Sequence, residues 1–206
     1  MTKYEKIQYF TSIFLRILIG VLIPISIWRG EYFLAFASIF VLLLTFLPSI
    51  IRRSFKVQLP IEIDFVLTVA LYLHYFLGEY LQFYLKISWW DLFLHTGNSI
   101  VLGMVGFVFS FILLFTSRVK TKPFFVALFA LFFSVFMGVI WEIFEFSMDL
   151  IFGFSMQKSG LIDTMTDLIV DMLGALFISI LGFLYMKHKR PGIFHDIVMK
   201  FVRNFK

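Results

Sequence analysis

Long runs of apolar residues alternate with short polar segments along this chain of 206 residues. Each run has about 20 residues, the length that a helix needs to cross a hydrocarbon core of roughly 30 Å. The polar segments between the runs are short, so the pattern predicts membrane-spanning helices joined by short loops. Six spans are predicted, at 9–28, 32–51, 61–84, 91–116, 123–149 and 163–186.

The segment after the last run has a different character. In residues 191–206, apolar side chains recur every three or four positions, opposite His195 and Lys200. This spacing predicts an amphipathic helix that lies on the inner surface of the membrane. The predicted fold class is all-α, a polytopic membrane helix bundle of six transmembrane helices plus a C-terminal interfacial amphipathic helix. Residues 1–206 are predicted to form a single integral membrane domain.

Composition and charge support this fold class. The chain is 61% hydrophobic and 20% aromatic, whereas soluble domains average about 45–50% apolar. The absence of cysteine excludes disulfides, thiolate metal sites and cysteine nucleophiles. Lys and Arg are concentrated at both termini and in the loops after the second and fourth spans, which predicts that both termini are cytoplasmic in a bacterial inner membrane. Anionic membrane lipids are the predicted partners of these basic residues, because no nucleic-acid-binding motif is present.

Carboxylates lie near one end of four spans, where they are costly. A carboxylate at the bilayer centre costs about 2.5–3.5 kcal/mol on insertion scales and normally marks an ion, proton or substrate site. The helical rise places Glu79 of the third span level with the acids of later spans, roughly 27–31 Å from the cytoplasmic end. Residues three or four apart share one helix face. The stripes on the last three spans are Asp91, His95 and Asn98; Glu142, Glu145 and Asp149; and Asp163, Asp167 and Asp171.

We predict that these stripes form one outward-facing intramembrane site. Carboxylates this crowded cannot all be ionised unless a cation or captured protons join them. A histidine among carboxylates favours Zn, Mn or Fe over Ca or Mg, although the EIFE sequence of span 5 lacks the Glu-x-x-His motif of di-iron bundles. The predicted metal ligands are Glu142, Glu145, Asp167, Asp171, His95 and Glu79. The predicted rim is Asp91, Asn98, Asp149 and Asp163. The alternative role is helix capping for Asp91 and Asp163, and exposure to water for Asp149.

Two other polar residues lie within predicted spans. Arg16 either pairs with a buried acid or snorkels toward the headgroups, and snorkelling is the favoured alternative. His74 is five residues from Glu79, about 140° around an α-helix, so the two side chains cannot face the same point. We therefore predict that His74 is a packed, hydrogen-bonded histidine. Asp64 is predicted to be structural, since negative charge suits the first turn of a helix.

Three motifs, WDLFLHTGNSIVLG, GVIWEIFEFSMD and DTMTDLIVDMLGA, occur in this order. With them, spans 3 to 6 resemble the YjdF-like family of bacterial inner-membrane proteins. A more distant resemblance is to VanZ-like membrane proteins, which are linked to glycopeptide resistance. The chain departs from the VanZ-like pattern at Asp171, where an amide is expected, and at Glu145, where Gln is expected. The positions that correspond to the pattern are Asp91, His95, Glu142, Asp167, Asp171 and Gly174, with Asp171 differing in residue type.

These resemblances imply an envelope protein but no particular reaction. The leading functional hypothesis is a metal-dependent hydrolase or transferase that acts on a lipid-linked envelope substrate, with a carboxylate as general base. The first alternative is a cation or proton transporter that uses the same residues. The second is a non-catalytic protein that binds a lipid or a drug. No catalytic residue is assigned, because the sequence contains no separate nucleophile or phosphate-binding motif.

Overall fold

The computed structural model describes residues 2–55, 60–115, 120–188 and 193–203. Within these ranges the regular secondary structure is entirely helical, which confirms the all-α fold class. The chain divides into two compact units, residues 1–90 and residues 91–206, and each unit is described by itself. The single domain over residues 1–206 stays a prediction.

The first unit begins with a helix that carries an N-terminal capping box. Thr2 Oγ1 accepts the backbone N–H of Glu5, and the Glu5 carboxylate accepts the N–H of Thr2. These bonds satisfy donors that the first helical turn leaves without partners. The helices of this unit are α1 (Lys3–Trp28), α2 (Tyr32–Leu44), α3 (Leu47–Phe55), α4 (Ile61–Leu71), a π-helix (Tyr72–Tyr80) and α5 (Phe83–Lys86).

The predicted second span, 32–51, is bent rather than straight. Helix α2 ends at Leu44, α3 begins at Leu47, and their axes differ by 43°. Pro48 explains the break, because it has no N–H to donate to the Leu44 carbonyl and its ring would collide with that carbonyl in a continuous helix. The two pieces together keep the length of one membrane span.

Arg16 of α1 forms hydrogen bonds with Thr45, at the break between α2 and α3. Its guanidinium donates to the Thr45 carbonyl at 2.7 Å and to Asp64 Oδ1 at 2.8 Å. A further bond joins Arg16 Nε to Thr45 Oγ1 at 3.0 Å. The snorkelling prediction for Arg16 is therefore wrong, because the side chain is paired inside the unit and only 12% exposed. The structural role predicted for Asp64 is confirmed.

The π-helix changes the expected geometry of the third span. In a π-helix, hydrogen bonds join residues five apart, so such residues lie close to one side of the helix. The separation of about 140° expected for His74 and Glu79 in an α-helix is therefore wrong for this segment. His74 Nδ1 lies 2.6 Å from the Tyr84 hydroxyl, which confirms the predicted hydrogen-bonded histidine. Glu79 belongs to this unit, and its role as a metal ligand stays a prediction.

The second unit is built from three long helices and one short helix. Gly103 and Gly106 of its first helix, together with Gly174, lie at close helix contacts, where an added Cβ atom would collide with or crowd the neighbouring helix. Ser134 donates a hydrogen bond of 2.7 Å to the Ser99 carbonyl across another such contact. Small residues thus allow these helices to approach closely. The helices are α6 (Trp90–Phe115), α7 (Pro123–Phe152), α8 (Leu161–His188) and α9 (Ile193–Arg203).

Helix α9 confirms the predicted amphipathic helix and shows what its apolar side contacts. Val198 is fully buried in a cluster with Phe107 and Val126, and Phe194 and Phe201 pack against the same cluster. The Phe194 and Phe107 ring centroids are 5.3 Å apart. The apolar side of α9 therefore packs on its own unit. Residues 191, 192 and 204–206 of the predicted tail lie outside the described residues.

Five helical segments in the described ranges are long and apolar enough to cross a membrane. They are α1, α4 with the π-helix, α6, α7 and α8, and the bent pair α2 and α3 makes a sixth if it is counted as one span. These segments correspond to the six predicted spans. The third span ends at Tyr80 rather than at residue 84. Two residues later, Gln82 adopts a φ of 59°, which does not continue a right-handed helix.

Candidate metal centre

The acidic stripes of the second unit meet where α6 and α8 begin and α7 ends. Their central residues are almost fully buried, although four of the five carry a carboxyl group. Burial of a charged group is unfavourable unless the group is paired or binds a cation. The exposed fractions are 4% for His95, 4% for Glu142, 8% for Glu145, 2% for Asp167 and 3% for Asp171.

His95 lies at the centre of the cluster and contacts acids on both sides of its ring. Its Nδ1 atom is 3.2 Å from Asp171 Oδ2. Its Nε2 atom is 3.8 Å from Glu142 Oε1 and 3.9 Å from Asp91 Oδ1. Asp91 and His95 are one turn apart on α6 and share a face, so one helix supplies both the ring and one of its carboxylates.

Two groups of three side chains could each hold a metal ion. In each group, every residue offers one ligand atom, and the three atoms lie within 4.8 Å of one another. The first group is His95, Glu142 and Asp167, all buried. The second is Asp91, Asp163 and Asp167, of which the first two are half-buried. A single metal ion can bridge atoms at this spacing, and Asp167 is common to both groups.

Glu142 presents an oxygen that no donor satisfies. Its Oε1 atom is buried and forms no hydrogen bond among the described residues. The other oxygen, Oε2, lies 3.5 Å from Gln157 Nε2. A buried acceptor without a hydrogen bond costs about 1–3 kcal/mol, so this oxygen needs a cation or a proton. It faces His95 Nε2 within the first group of potential ligands.

Glu145 has a different partner. Its Oε1 atom accepts a hydrogen bond of 2.9 Å from the indole of Trp141, one turn earlier on α7. Glu145 is outside both groups that the described residues form. Its predicted role as a metal ligand stays a prediction, as does that of Asp171, which contacts His95.

The loop between α7 and α8 is hydrogen-bonded to the acidic residue Asp149. Gly153 ends α7 with a φ of 69°, and the Asp149 carboxylate accepts the backbone N–H groups of Met156 and Gln157 at 2.8 and 2.9 Å. Asp149 is half-buried and its carboxylate is hydrogen-bonded to the loop, and its predicted place at the rim of the site stays a prediction. The Gln157 side chain also donates to Thr164 Oγ1 at 2.7 Å, which places its amide beside the cluster.

Lys158 supplies a positive charge to the outer acids. Its Nζ atom is 3.0 Å from Asp91 Oδ2, and its backbone N–H donates to Asp163 Oδ2 at 3.0 Å. Seven carboxyl groups lie at this end of the unit. Lys158 therefore offsets only part of their charge even when His95 is protonated. The seven are Asp91, Glu142, Glu145, Asp149, Asp163, Asp167 and Asp171.

Three polar residues near the cluster were not predicted from the sequence: Gln157, Lys158 and Thr164. The first two lie in a loop and Thr164 lies beside a stripe, so helical periodicity does not select them. The signal that does mark the loop is its position between Gly153 and Gly160, both at positive φ, with an acidic stripe on either side. Asn98, a predicted rim residue, is half-buried one turn after His95 and belongs to neither ligand group.

Comparison with known proteins places these helices in a family. A family model described as a predicted membrane protein (DUF2238) matches residues 10–188, a range that contains every residue of the candidate centre. An uncharacterised protein of Thermotoga maritima is 34% identical over 152 residues, which cover 74% of this chain and 78% of that protein. No solved structure matches the chain. The YjdF-like resemblance agrees with these matches, and the chain is a multi-pass membrane protein that belongs to the DUF2238 family.

Proposed function

We propose that the second unit binds a divalent cation through His95, Glu142 and Asp167. The observation that carries this proposal is the buried Glu142 Oε1 atom, which forms no hydrogen bond and faces a histidine nitrogen 3.8 Å away. A cation bound there would satisfy this oxygen and reduce the repulsion among the neighbouring carboxylates. One nitrogen and two oxygen donors suit Zn, Mn or Fe better than Ca or Mg.

The proposed reaction is hydrolysis or group transfer on a lipid-linked substrate of the cell envelope. A bound divalent cation supplies Lewis acidity toward a carbonyl or phosphoryl oxygen. Asp91 is placed to act as a general base, because it lies beside His95 and at the half-buried edge of the cluster. Lys158 Nζ pairs with Asp91 Oδ2 at 3.0 Å. The VanZ-like resemblance of the same residues supports a role at the envelope.

The packing of the second unit favours this proposal over transport. Beyond Ser99 and Ser134, the core toward the opposite end consists mainly of apolar side chains, among them Phe107, Val126 and Val198, each exposed by 1% or less, and Ser179 is a buried polar residue there. A transported ion would need polar groups or water along that path. A site that binds or reacts at one end of the helices needs none.

The metal content of the purified protein tests the proposal. Protein extracted in mild detergent without chelator should contain a stoichiometric amount of Zn, Mn or Fe by elemental analysis. Metal lost during purification should be restored by dialysis against Zn²⁺ or Mn²⁺ followed by removal of the excess. Wild-type protein that holds no stoichiometric metal after this treatment would contradict the proposed cation site.

The proposal also places the acidic end of α6, α7 and α8 outside a bacterial inner membrane, with both termini in the cytoplasm. The chain has no cysteine, so single cysteines can be introduced without background. Ser88→Cys and Ser159→Cys, at exposed positions in loops at this end, should react with a membrane-impermeant maleimide in intact cells. Lys120→Cys should react only after the membrane is permeabilised. The reverse labelling pattern would exclude an envelope substrate.

A further inference from the structure

Asp171 approaches His95 at Nδ1, the ring nitrogen that does not face Glu142. The Asp171 Oδ2 atom is 3.2 Å from His95 Nδ1, whereas Glu142 lies on the Nε2 side. A carboxylate that accepts Nδ1–H keeps the proton on that nitrogen. The Nε2 lone pair is then free for a metal ion.

Gly138 provides the space in which this carboxylate lies. A Cβ atom at position 138 would collide with Asp171 Oδ2. Gly138 is one turn before Glu142, so the two residues share a face of α7. The Asp171 carboxylate therefore occupies the gap that the glycine leaves under Glu142. One turn after Asp171, Gly174 packs against Ser99 and the Thr96 carbonyl, which holds α8 close to α6.

We infer that Asp171 is a positioning residue, which orients His95 for the cation, and that Gly138 is required for this arrangement. The inference deepens the proposed function and rests on it. It assigns Asp171 to the support of a ligand, whereas the sequence analysis assigned it to the ligands themselves. Asp171 belongs to neither group of closely spaced ligand atoms in the described residues, in agreement with this assignment.

Zn²⁺ affinity, measured by competition with a chromophoric chelator on the full-length protein in detergent, tests the inference. Asp171→Asn should weaken Zn²⁺ binding by about 10- to 100-fold, the usual effect of removing a residue that supports a metal ligand. If Asp171 acts through His95, the same substitution should have little further effect in a His95→Gln background. Equal losses in both backgrounds would show that Asp171 is an independent ligand or a structural residue and would overturn the inference.

Gly138→Ala provides a second approach that leaves every acid in place. It should reproduce the loss of affinity seen with Asp171→Asn, because the added methyl group displaces the Asp171 carboxylate. Gly97→Ala is the matched control, since a Cβ atom at this α6 position meets no other group within 4 Å. Wild-type affinity in both glycine variants would contradict the role assigned to Gly138.

A spectroscopic signature separates orientation of His95 from general destabilisation. In ¹⁵N-histidine spectra of the Zn²⁺-saturated protein, a slowly exchanging Nδ1–H signal should be present, and its absence from His95→Gln assigns it. Asp171→Ala at saturating Zn²⁺ should lose this signal, and an unchanged signal would overturn the inference. Wild-type protein that binds no Zn²⁺ would instead refute the cation site, whereas normal binding with no coupling between Asp171 and His95 would refute only the positioning role.

Discussion

Glu142→Gln is expected to weaken Zn²⁺ binding by more than about 100-fold, beyond the usual effect of losing a supporting residue. The substitution preserves the size of the side chain but removes its negative charge, and it places an amide where Oε1 now faces His95 Nε2 at 3.8 Å. If the amide nitrogen takes that position, a donor points at the cation. Competition with a chromophoric chelator measures the change, and thermal unfolding in the same detergent verifies that the variant folds.

Glu145→Gln is the matched control for this prediction. It changes the same chemical group on the same helix, one turn away and similarly buried, but Glu145 already accepts a hydrogen bond from Trp141. Its effect on Zn²⁺ affinity should be much smaller than that of Glu142→Gln. Equal losses in the two variants would mean that the affinity depends on the total charge of the cluster and would contradict a specific ligand role for Glu142.

Asp64→Ala is expected to lower the free energy of unfolding by about 3–5 kcal/mol, the cost of leaving one member of a buried ion pair without its partner. The Arg16 guanidinium would retain the Thr45 carbonyl at 2.7 Å but lose the carboxylate at 2.8 Å. Unfolding by SDS in mixed micelles measures the change. Glu31→Ala should have little effect, because Glu31 is exposed and forms no side-chain cap at α2.

A double substitution separates the ion pair from simple loss of packing. In Arg16→Met with Asp64→Leu, both charges are replaced by apolar groups of comparable size, which is often neutral for a buried pair. The double variant should therefore recover most of the stability lost in Asp64→Ala. If it is instead less stable than the single variant, then the hydrogen bonds of Arg16 to Thr45 matter more than its pairing with Asp64.

The stripes of the candidate centre were predictable because they depend on helix geometry alone. Asp163, Asp167 and Asp171 recur every four residues, and any α-helix places them on one side. Their meeting with His95 required a further condition, that the helices approach closely, and the glycines of α6, α7 and α8 indicated this. The same reasoning could not separate a ligand from its support, because Glu142 and Asp171 both carry a carboxyl group and only the structure shows which ring nitrogen of His95 each one faces.

Contacts between residues far apart in the sequence could not be predicted from helical periodicity. Arg16 and Asp64 are 48 positions apart, and Lys158 and Asp91 are 67 apart. Nothing in the local pattern around any of these residues specifies its partner. The π-helix was hidden for another reason. The nine residues Tyr72–Tyr80 are too few for the order of polar and apolar residues to distinguish a π-helix from an α-helix.

The docking of α9 has a consequence for the order in which the protein matures during synthesis. Phe107 and Val198 belong to one packed cluster but are separated by three loops, so the helices that enter the membrane first cannot complete their core alone. At about 5–20 residues per second, many seconds pass between translation of these two residues. During that interval the cluster around Phe107 lacks the side chains that α9 contributes, so we expect a chain truncated before α9 to be less stable than the full chain.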